Sequence, residues 1–164
     1  MKRNISKWIG ALFAVTGMCG WAPVDAAVPL ARNLQAAGQQ AVSDCKPLLL
    51  EFSAVACDYC RLLEVEILNP TLLNSDYDHR VLMRKLLIDQ SDRLTGFDGE
   101  TVSAEELAAK YRVYVTPTLL FVDAEGRELA DRMVGVTTLD FYGGYLDIAL
   151  DNAQRKLRSR GDCD

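Results

Sequence analysis

Two cysteines, Cys57 and Cys60, stand where an apolar run gives way to a helical pattern, in the stretch LLLEFSAVACDYCRLLEVEIL. The run Leu48–Ser53 is broken only by Glu51, and such a run is typical of a strand covered on both faces. Three explanations compete for the two thiols: a metal site, a structural disulfide and a redox pair. A helix N-terminus favours the redox pair, because its free N–H groups and dipole stabilise a thiolate.

The other two explanations have less support in the sequence. A structural zinc site takes four ligands. The chain has no second Cys-x-x-Cys motif, and its only histidine, His79, stands in a polar turn. A permanent bridge across so short a loop would stabilise the fold little through chain entropy.

The first 26 residues have the pattern of an export signal. A basic start is followed by an apolar stretch and by small residues that suit cleavage just after Ala26. The apolar stretch is shorter than the ~20 residues of a spanning helix, although an uncleaved anchor is the alternative. We therefore predict a signal peptide over residues 1–26, a domain over 27–158, a flexible tail over 159–164, and export to the periplasm.

Composition limits the classes of function that remain after such cleavage. The remaining 138 residues carry 15 Lys and Arg against 22 Asp and Glu. An acidic chain lacks the basic face that nucleic-acid binding requires, and the length suits one domain. Disulfides persist outside the cytosol, so Cys45 and Cys163 can pair with each other there. The alternative is that each of these cysteines is free.

Hydrophobic periodicity predicts the element order α-β-α-β-α-β-β-α, and therefore a sheet with helices on both faces. The predicted strands cover residues 48–53, 81–88, 113–122 and 127–134, and the last two form a hairpin. The predicted helices cover residues 30–41, a segment from Cys57, 103–111 with a Ser103–Glu106 capping box, and 138 to about 158. Residues 91–102 are predicted to be a loop.

Apolar spacing also predicts the buried face of three helices. The predicted core residues are Leu30, Leu34 and Val42 in the first helix, and Phe141, Tyr145, Ile148 and Leu150 in the last. In the second helix they are Leu62, Val65 and Leu68, with Leu63 and Ile67 widening the stripe.

Several stretches resemble the thioredoxin superfamily: LLLEFSAVACDYC, KLLIDQ, AAKYRVYVTPTLLFVDAEGRE and the final helix. Within it, CDYCRLLEVEIL and GFDGETVSAEELAAKYRVYVTPT are similar to exported SoxW-type thioredoxins. The resemblance implies an α/β thioredoxin fold, with a central mixed four-stranded sheet flanked by helices and a C-terminal antiparallel hairpin.

The resemblance also implies roles for individual residues. Cys57 matches the attacking cysteine and Cys60 the resolving one. Pro117 matches a cis-proline that faces the two sulfurs, and Thr116 would present its backbone to an extended substrate. No cofactor is implied, because the redox-active Cys57–Cys60 disulfide itself carries the electrons.

Glu51 matches a buried acid that the family keeps behind the disulfide. A carboxyl inside an apolar strand is costly without a partner, and desolvation would raise its pKa toward a range that suits proton exchange with Cys60. Lys85 matches a lysine often found near that acid. A Glu51 side chain that faces water at a strand edge is the alternative.

The residues around Cys57 depart from ordinary thioredoxins. Ala56 replaces the usual tryptophan, and Asp58 and Tyr59 stand between the cysteines. All three are candidate substrate-binding residues, with Thr116. The like charge of Asp58 opposes a thiolate at Cys57 and so favours a reductase.

We therefore expect a thiol–disulfide oxidoreductase that reduces protein disulfides in the periplasm, in sulfur oxidation or cytochrome c assembly. Its electrons would come from a DsbD- or CcdA-like membrane donor. The alternatives are an oxidase or isomerase of folding proteins, and a non-catalytic binding module.

Overall fold

The computed structural model describes residues 27–161 of the chain. The predicted signal peptide, its cleavage after Ala26 and the end of the predicted tail lie outside the described residues. Within residues 27–161, no helix has both the length and the apolar character that a membrane crossing requires.

Between residues 27 and 161, six strands form two sheets. They are β1 (Leu48–Ser53), β2 (Leu82–Leu87), β3 (Arg93–Thr95), β4 (Thr101–Ser103), β5 (Thr118–Val122) and β6 (Met133–Val134). The main sheet has the order β2-β1-β5-β6, and β3 and β4 pair separately as a hairpin. β1 is parallel to β2 and antiparallel to β5, and β5 is antiparallel to β6. The predicted mixed four-stranded sheet is therefore confirmed.

Helices cover both faces of the main sheet. They are α1 (Leu34–Ser43), α2 (Asp58–Leu63), α3 (Asn69–Leu73), α4 (Ala104–Tyr111) and α5 (Leu139–Arg160), and a π-helical turn (Glu64–Leu68) joins α2 to α3. One core cluster packs α5 and the end of α2 against the sheet, and the other packs α1 and α4 against its opposite face. Every residue of β1 and β5 is buried, as expected for strands covered on both sides.

The π-helical turn changes which face of the second helix is buried. Leu62 and Val65 are exposed, whereas Leu63 and Leu68 are fully buried. The buried pair is five residues apart because the N–H of Asn69 donates to the carbonyl of Glu64, the i to i+5 spacing of a π turn. The predicted stripe is therefore wrong at Leu62 and Val65 and correct at Leu63 and Leu68, and Ile67 is half-buried.

The last helix buries a face one residue further along than predicted. Phe141, Tyr145 and Ile148 are exposed, and only Leu150 of the predicted set is buried. The buried stripe consists of Tyr142, Leu146, Ala149, Leu150, Ala153 and Leu157. The helix also continues to Arg160, two residues beyond the predicted end.

The first helix uses small residues at its buried face. It begins at Leu34, so Leu30 lies outside it, and Val42 is exposed. A Cβ on Gly38 would lie 2.4 Å from the carbonyl oxygen of Ala124, so the helix backbone meets that turn directly. The periodicity of large side chains alone misses this contact.

Two further predictions need correction. The predicted loop 91–102 contains β3 and the start of β4, joined through Asp98 and Gly99, a pair that favours hairpin turns. The predicted strand 127–134 is reduced to β6 and an isolated bridge between Val122 and Glu128. β5 begins only after Pro117.

Candidate functional site

The Cys-x-x-Cys motif lies where β1 leads into α2. Cys57 is the N-cap residue of α2, and its Sγ accepts a hydrogen bond from the backbone N–H of Cys60 at 3.1 Å. The two cysteines form a disulfide. Cys57 is half-buried, whereas Cys60 is 1% exposed. Only the first sulfur is therefore accessible to a partner protein.

The loop before Cys57 is tethered to β2. The backbone N–H of Val55 donates to both carboxylate oxygens of Asp89, at 3.1 and 2.9 Å. Asp89 follows β2, so this contact fixes the motif to the end of the neighbouring strand. No role is predicted for Asp89 from the sequence, although the residue stands in the stretch KLLIDQ.

The fold brings the Thr116–Pro117 segment to the same site. The peptide bond between these residues is cis, and the Thr116 hydroxyl lies 3.6 Å from the Cys57 sulfur. Pro117 is buried, and its carbonyl accepts a hydrogen bond from the N–H of Gly135 at 2.8 Å. Thr116, Pro117 and Cys57 thus lie together, as the sequence predicts.

Glu51 is fully buried in the middle of β1. Neither oxygen of its carboxyl has a hydrogen-bond partner among the described residues. Burial, followed by the negative charge of Glu64, raises the pKa of Glu51 to about 8, and the charge of Lys85 opposes part of that rise. The carboxyl is therefore mostly protonated near neutral pH.

Lys85 and Glu64 form a partly buried ion pair beside that acid. The Lys85 ammonium lies 2.8 Å from Glu64 Oε2, and each side chain is 16% exposed. Lys85 is the register partner of Glu51 across β1 and β2. Lys85 is predicted near the acid from the sequence, whereas Glu64 is not, although it lies four residues after Cys60 and therefore on the same helix face.

The remaining predicted site residues surround Cys57 on the surface. Ala56, Asp58 and Tyr59 are all exposed. An Arg61 nitrogen lies 3.6 Å from an Asp58 oxygen, and both side chains are largely exposed. So exposed a pair offsets little of the negative charge beside Cys57.

The described cysteines are all in disulfides. Cys45 is disulfide-bonded, and its pairing with Cys163 stays a prediction. Within residues 27–161, no group of three or more His, Cys, Asp or Glu side chains is placed to hold a metal ion.

Comparison with known proteins gives one family and several related structures. The sequence model of a thioredoxin-like domain matches residues 34–147. The germline-specific thioredoxin Deadhead of Drosophila melanogaster superposes with a TM-score of 0.51 at 18% identity, covering 73% of this chain and 96% of that one. Thioredoxin NaTrxh of Nicotiana alata superposes with a TM-score of 0.50 at 19% identity, covering 73% and 94%. No curated protein sequence matches the chain.

Proposed function

The chain belongs to the thioredoxin-like family of thiol–disulfide oxidoreductases, and on that basis we propose that it is an exported reductase of protein disulfides in the periplasm. The observation that carries the proposal is the unequal pair of sulfurs. Cys57 is accessible at a helix N-terminus, and it is bonded to a Cys60 that is almost completely buried. A structural disulfide does not require this difference in exposure between its two sulfurs, whereas an attacking and a resolving cysteine do.

The reaction begins with the reduced protein. The Cys57 thiolate attacks one sulfur of a substrate disulfide, the substrate S–S bond breaks, and the other substrate sulfur leaves as a thiolate. Cys60 then loses its proton and attacks the Cys57 sulfur, which releases the second substrate thiolate. Two electrons have passed to the substrate, and the protein holds the Cys57–Cys60 disulfide.

Glu51 is the proton carrier in this proposal. It accepts the proton of Cys60 when Cys60 attacks, and it returns a proton when a donor dithiol reduces the disulfide again. A carboxyl with a pKa of about 8 is matched to a thiol, so that the proton moves in either direction without a large barrier.

Apolar side chains around Cys57 support a protein substrate. Tyr59, Tyr114 and Val115 are exposed by 64%, 84% and 50%, and each stands within two residues of Cys57 or Thr116 in the sequence. Exposed aromatic residues are favoured at protein interfaces. In this proposal the backbone of Thr116 pairs with an extended substrate segment, and the 3.6 Å between the Thr116 hydroxyl and the Cys57 sulfur supports it.

The direction of transfer and the cellular setting complete the proposal. Asp58, which Arg61 compensates only weakly, disfavours a Cys57 thiolate and so favours the reducing direction. Residues 1–26 favour export to the periplasm. A DsbD- or CcdA-like membrane protein would supply the electrons, in sulfur oxidation or cytochrome c assembly.

The test uses insulin reduction and substrate trapping. We expect the unmodified protein to reduce insulin with a dithiol donor and Cys57→Ser to be inactive. Cys60→Ser keeps the attacking sulfur but cannot resolve the complex, so it should accumulate mixed disulfides with periplasmic proteins that dithiothreitol releases. The Cys57→Ser/Cys60→Ser double variant is the matched control for trapping.

Two outcomes would contradict the enzymatic proposal: insulin reduction by Cys57→Ser at the unmodified rate, or trapping no greater than in the double variant. The redox potential tests the direction. A value far below about −200 mV supports the reductase, and a value near about −120 mV supports an oxidase of folding proteins.

A further inference from the structure

The side chains of Glu51, Lys85 and Glu64 meet on one face of the sheet, and Lys85 is not paired with the nearer residue in the strand register. Lys85 is the direct neighbour of Glu51 across β1 and β2. Its ammonium nevertheless lies 2.8 Å from Glu64 Oε2, while both Glu51 oxygens lack a hydrogen-bond partner among residues 27–161. The Lys85 ammonium therefore pairs with the partly exposed Glu64, and the fully buried Glu51 carboxyl is not paired with it.

Helix position sets the two nearby glutamates apart. Glu64 lies four residues after the buried Cys60 and so on the same helix face, and its side chain is 16% exposed. Glu66, two residues later in the π turn, is exposed. One carboxylate therefore reaches Lys85, and the other lies in solvent.

We propose that Glu64 is a positioning residue that holds the Lys85 ammonium away from Glu51, and that this keeps the Glu51 carboxyl able to exchange a proton with Cys60. The inference rests on the proposed function of Glu51. A lysine head group on its flexible stem pairs with the carboxylate that is available. Without Glu64, Lys85 would bind Glu51, and a carboxylate held in an ion pair is a weak proton acceptor that has no proton to return.

The other groups that face Glu51 do not duplicate this effect. Ser53 lies on its own strand, Tyr142 faces it from α5, and neither carries a charge at neutral pH. The Cys57–Cys60 disulfide on α2 is uncharged. Lys85 is therefore the one described cation that acts on Glu51, and Glu64 decides where that cation is held.

The experiment compares Glu64→Gln with Glu66→Gln, a matched change in the same π turn. The titration of Glu51 is followed in the oxidised protein by carbon NMR of labelled glutamate carboxyls, and the pH profile of insulin reduction is recorded in parallel. In Glu64→Gln the acid dissociation constant of Glu51 should rise by about tenfold or more, one pH unit. The rate profile should move to lower pH, and Glu66→Gln should change neither.

A Lys85→Met background separates the two ways in which Glu64 can act. If Glu64 works by holding Lys85, the effect of Glu64→Gln on Glu51 should fall to less than half in Lys85→Met. An equal effect in both backgrounds would mean that Glu64 acts only through its own charge, and this would overturn the proposal. The absence of any shift in Glu64→Gln would also overturn it.

A second variant and the choice of readout distinguish failure of this inference from a folding defect or a loss of turnover. Glu64→Ala replaces Glu64→Gln if that variant does not fold, and failure of both would make the ion pair structural and contradict the proposal. The NMR titration needs no turnover. A protein that cannot reduce insulin but shows the expected shift contradicts the proposed function alone, and an active reductase without the shift contradicts this inference alone.

Discussion

At the scale of single residues, Glu51 is where the requirements of the core and of the chemistry conflict. Its neighbours Leu50 and Phe52 are fully buried, and an apolar side chain at position 51 would add to the core without a desolvation penalty. The raised pKa shows that the fold disfavours the ionised carboxyl. A buried group of this kind is expected where a proton must move, because perturbed pKa values concentrate at functional sites.

The pH dependence of stability tests this conflict. The folded-state pKa of Glu51, about 8, is above the unfolded value near 4.5, so the folded protein holds a proton that the unfolded chain releases between these values. Stability should therefore fall as pH rises from about 5 to about 8, by up to about 1.4 kcal/mol for each unit.

Urea denaturation of the oxidised protein across that range gives the measurement. Glu51→Gln cannot titrate at this position, so its stability should decline less steeply than that of the unmodified protein. Glu100→Gln, at an exposed position, is the control and should keep the original slope. Equal slopes in all three proteins would show that Glu51 titrates normally.

At the scale of elements, sequence predicts the strands and the site better than the helix faces. The residues of β1 and β5 are buried on both faces of the sheet, so their burial can be predicted without deciding which face is covered. The position of Cys57 follows from the end of β1. α5 instead carries two apolar stripes, and large side chains such as Phe141 and Tyr145 favour the stripe that the structure leaves exposed. The buried stripe instead combines the alanines Ala149 and Ala153 with Tyr142 and three leucines, so the size of the side chains does not identify it.

The Gly143–Gly144 pair in α5 provides a prediction for an element. A Cβ on Gly144 would meet nothing within 4 Å, so the glycine lowers helix stability without a packing reason. Gly144→Ala should raise the free energy of unfolding by about 1 kcal/mol, measured by urea denaturation. Gly38→Ala in α1 is the matched helical control and should destabilise the protein, because its Cβ would overlap the Ala124 carbonyl. A lower free energy of unfolding for Gly144→Ala would indicate that the structure requires a glycine at this position.

At the scale of the whole molecule, a buried carboxylate joins the end of α5 to the sheet. Asp123 follows β5 and is 2% exposed. One of its oxygens accepts hydrogen bonds from the backbone N–H groups of Glu125 and Arg127. The other accepts from the Arg127 side chain at 2.7 Å and from Arg160, the last residue of α5, at 2.8 Å. The turn after β5 and the end of the last helix are therefore held by one side chain.

This arrangement predicts a loss of global stability rather than a local change. Asp123→Asn keeps the size of the side chain but removes the charge that two arginines share, and both guanidinium groups are partly exposed, so the loss is moderate. We expect the free energy of unfolding to fall by about 2–3 kcal/mol, with the transition still cooperative. Asp131→Asn, at an exposed position, should change the free energy of unfolding by less than about 0.5 kcal/mol.

Hydrogen exchange of the Asp123→Asn variant shows where the protein is destabilised. Because Asp123 links α5 to the sheet, amides at the C-terminal end of α5 should lose protection together with those of β5. Faster exchange confined to the turn residues 124–127 would show that the contact with Arg160 contributes nothing to the fold.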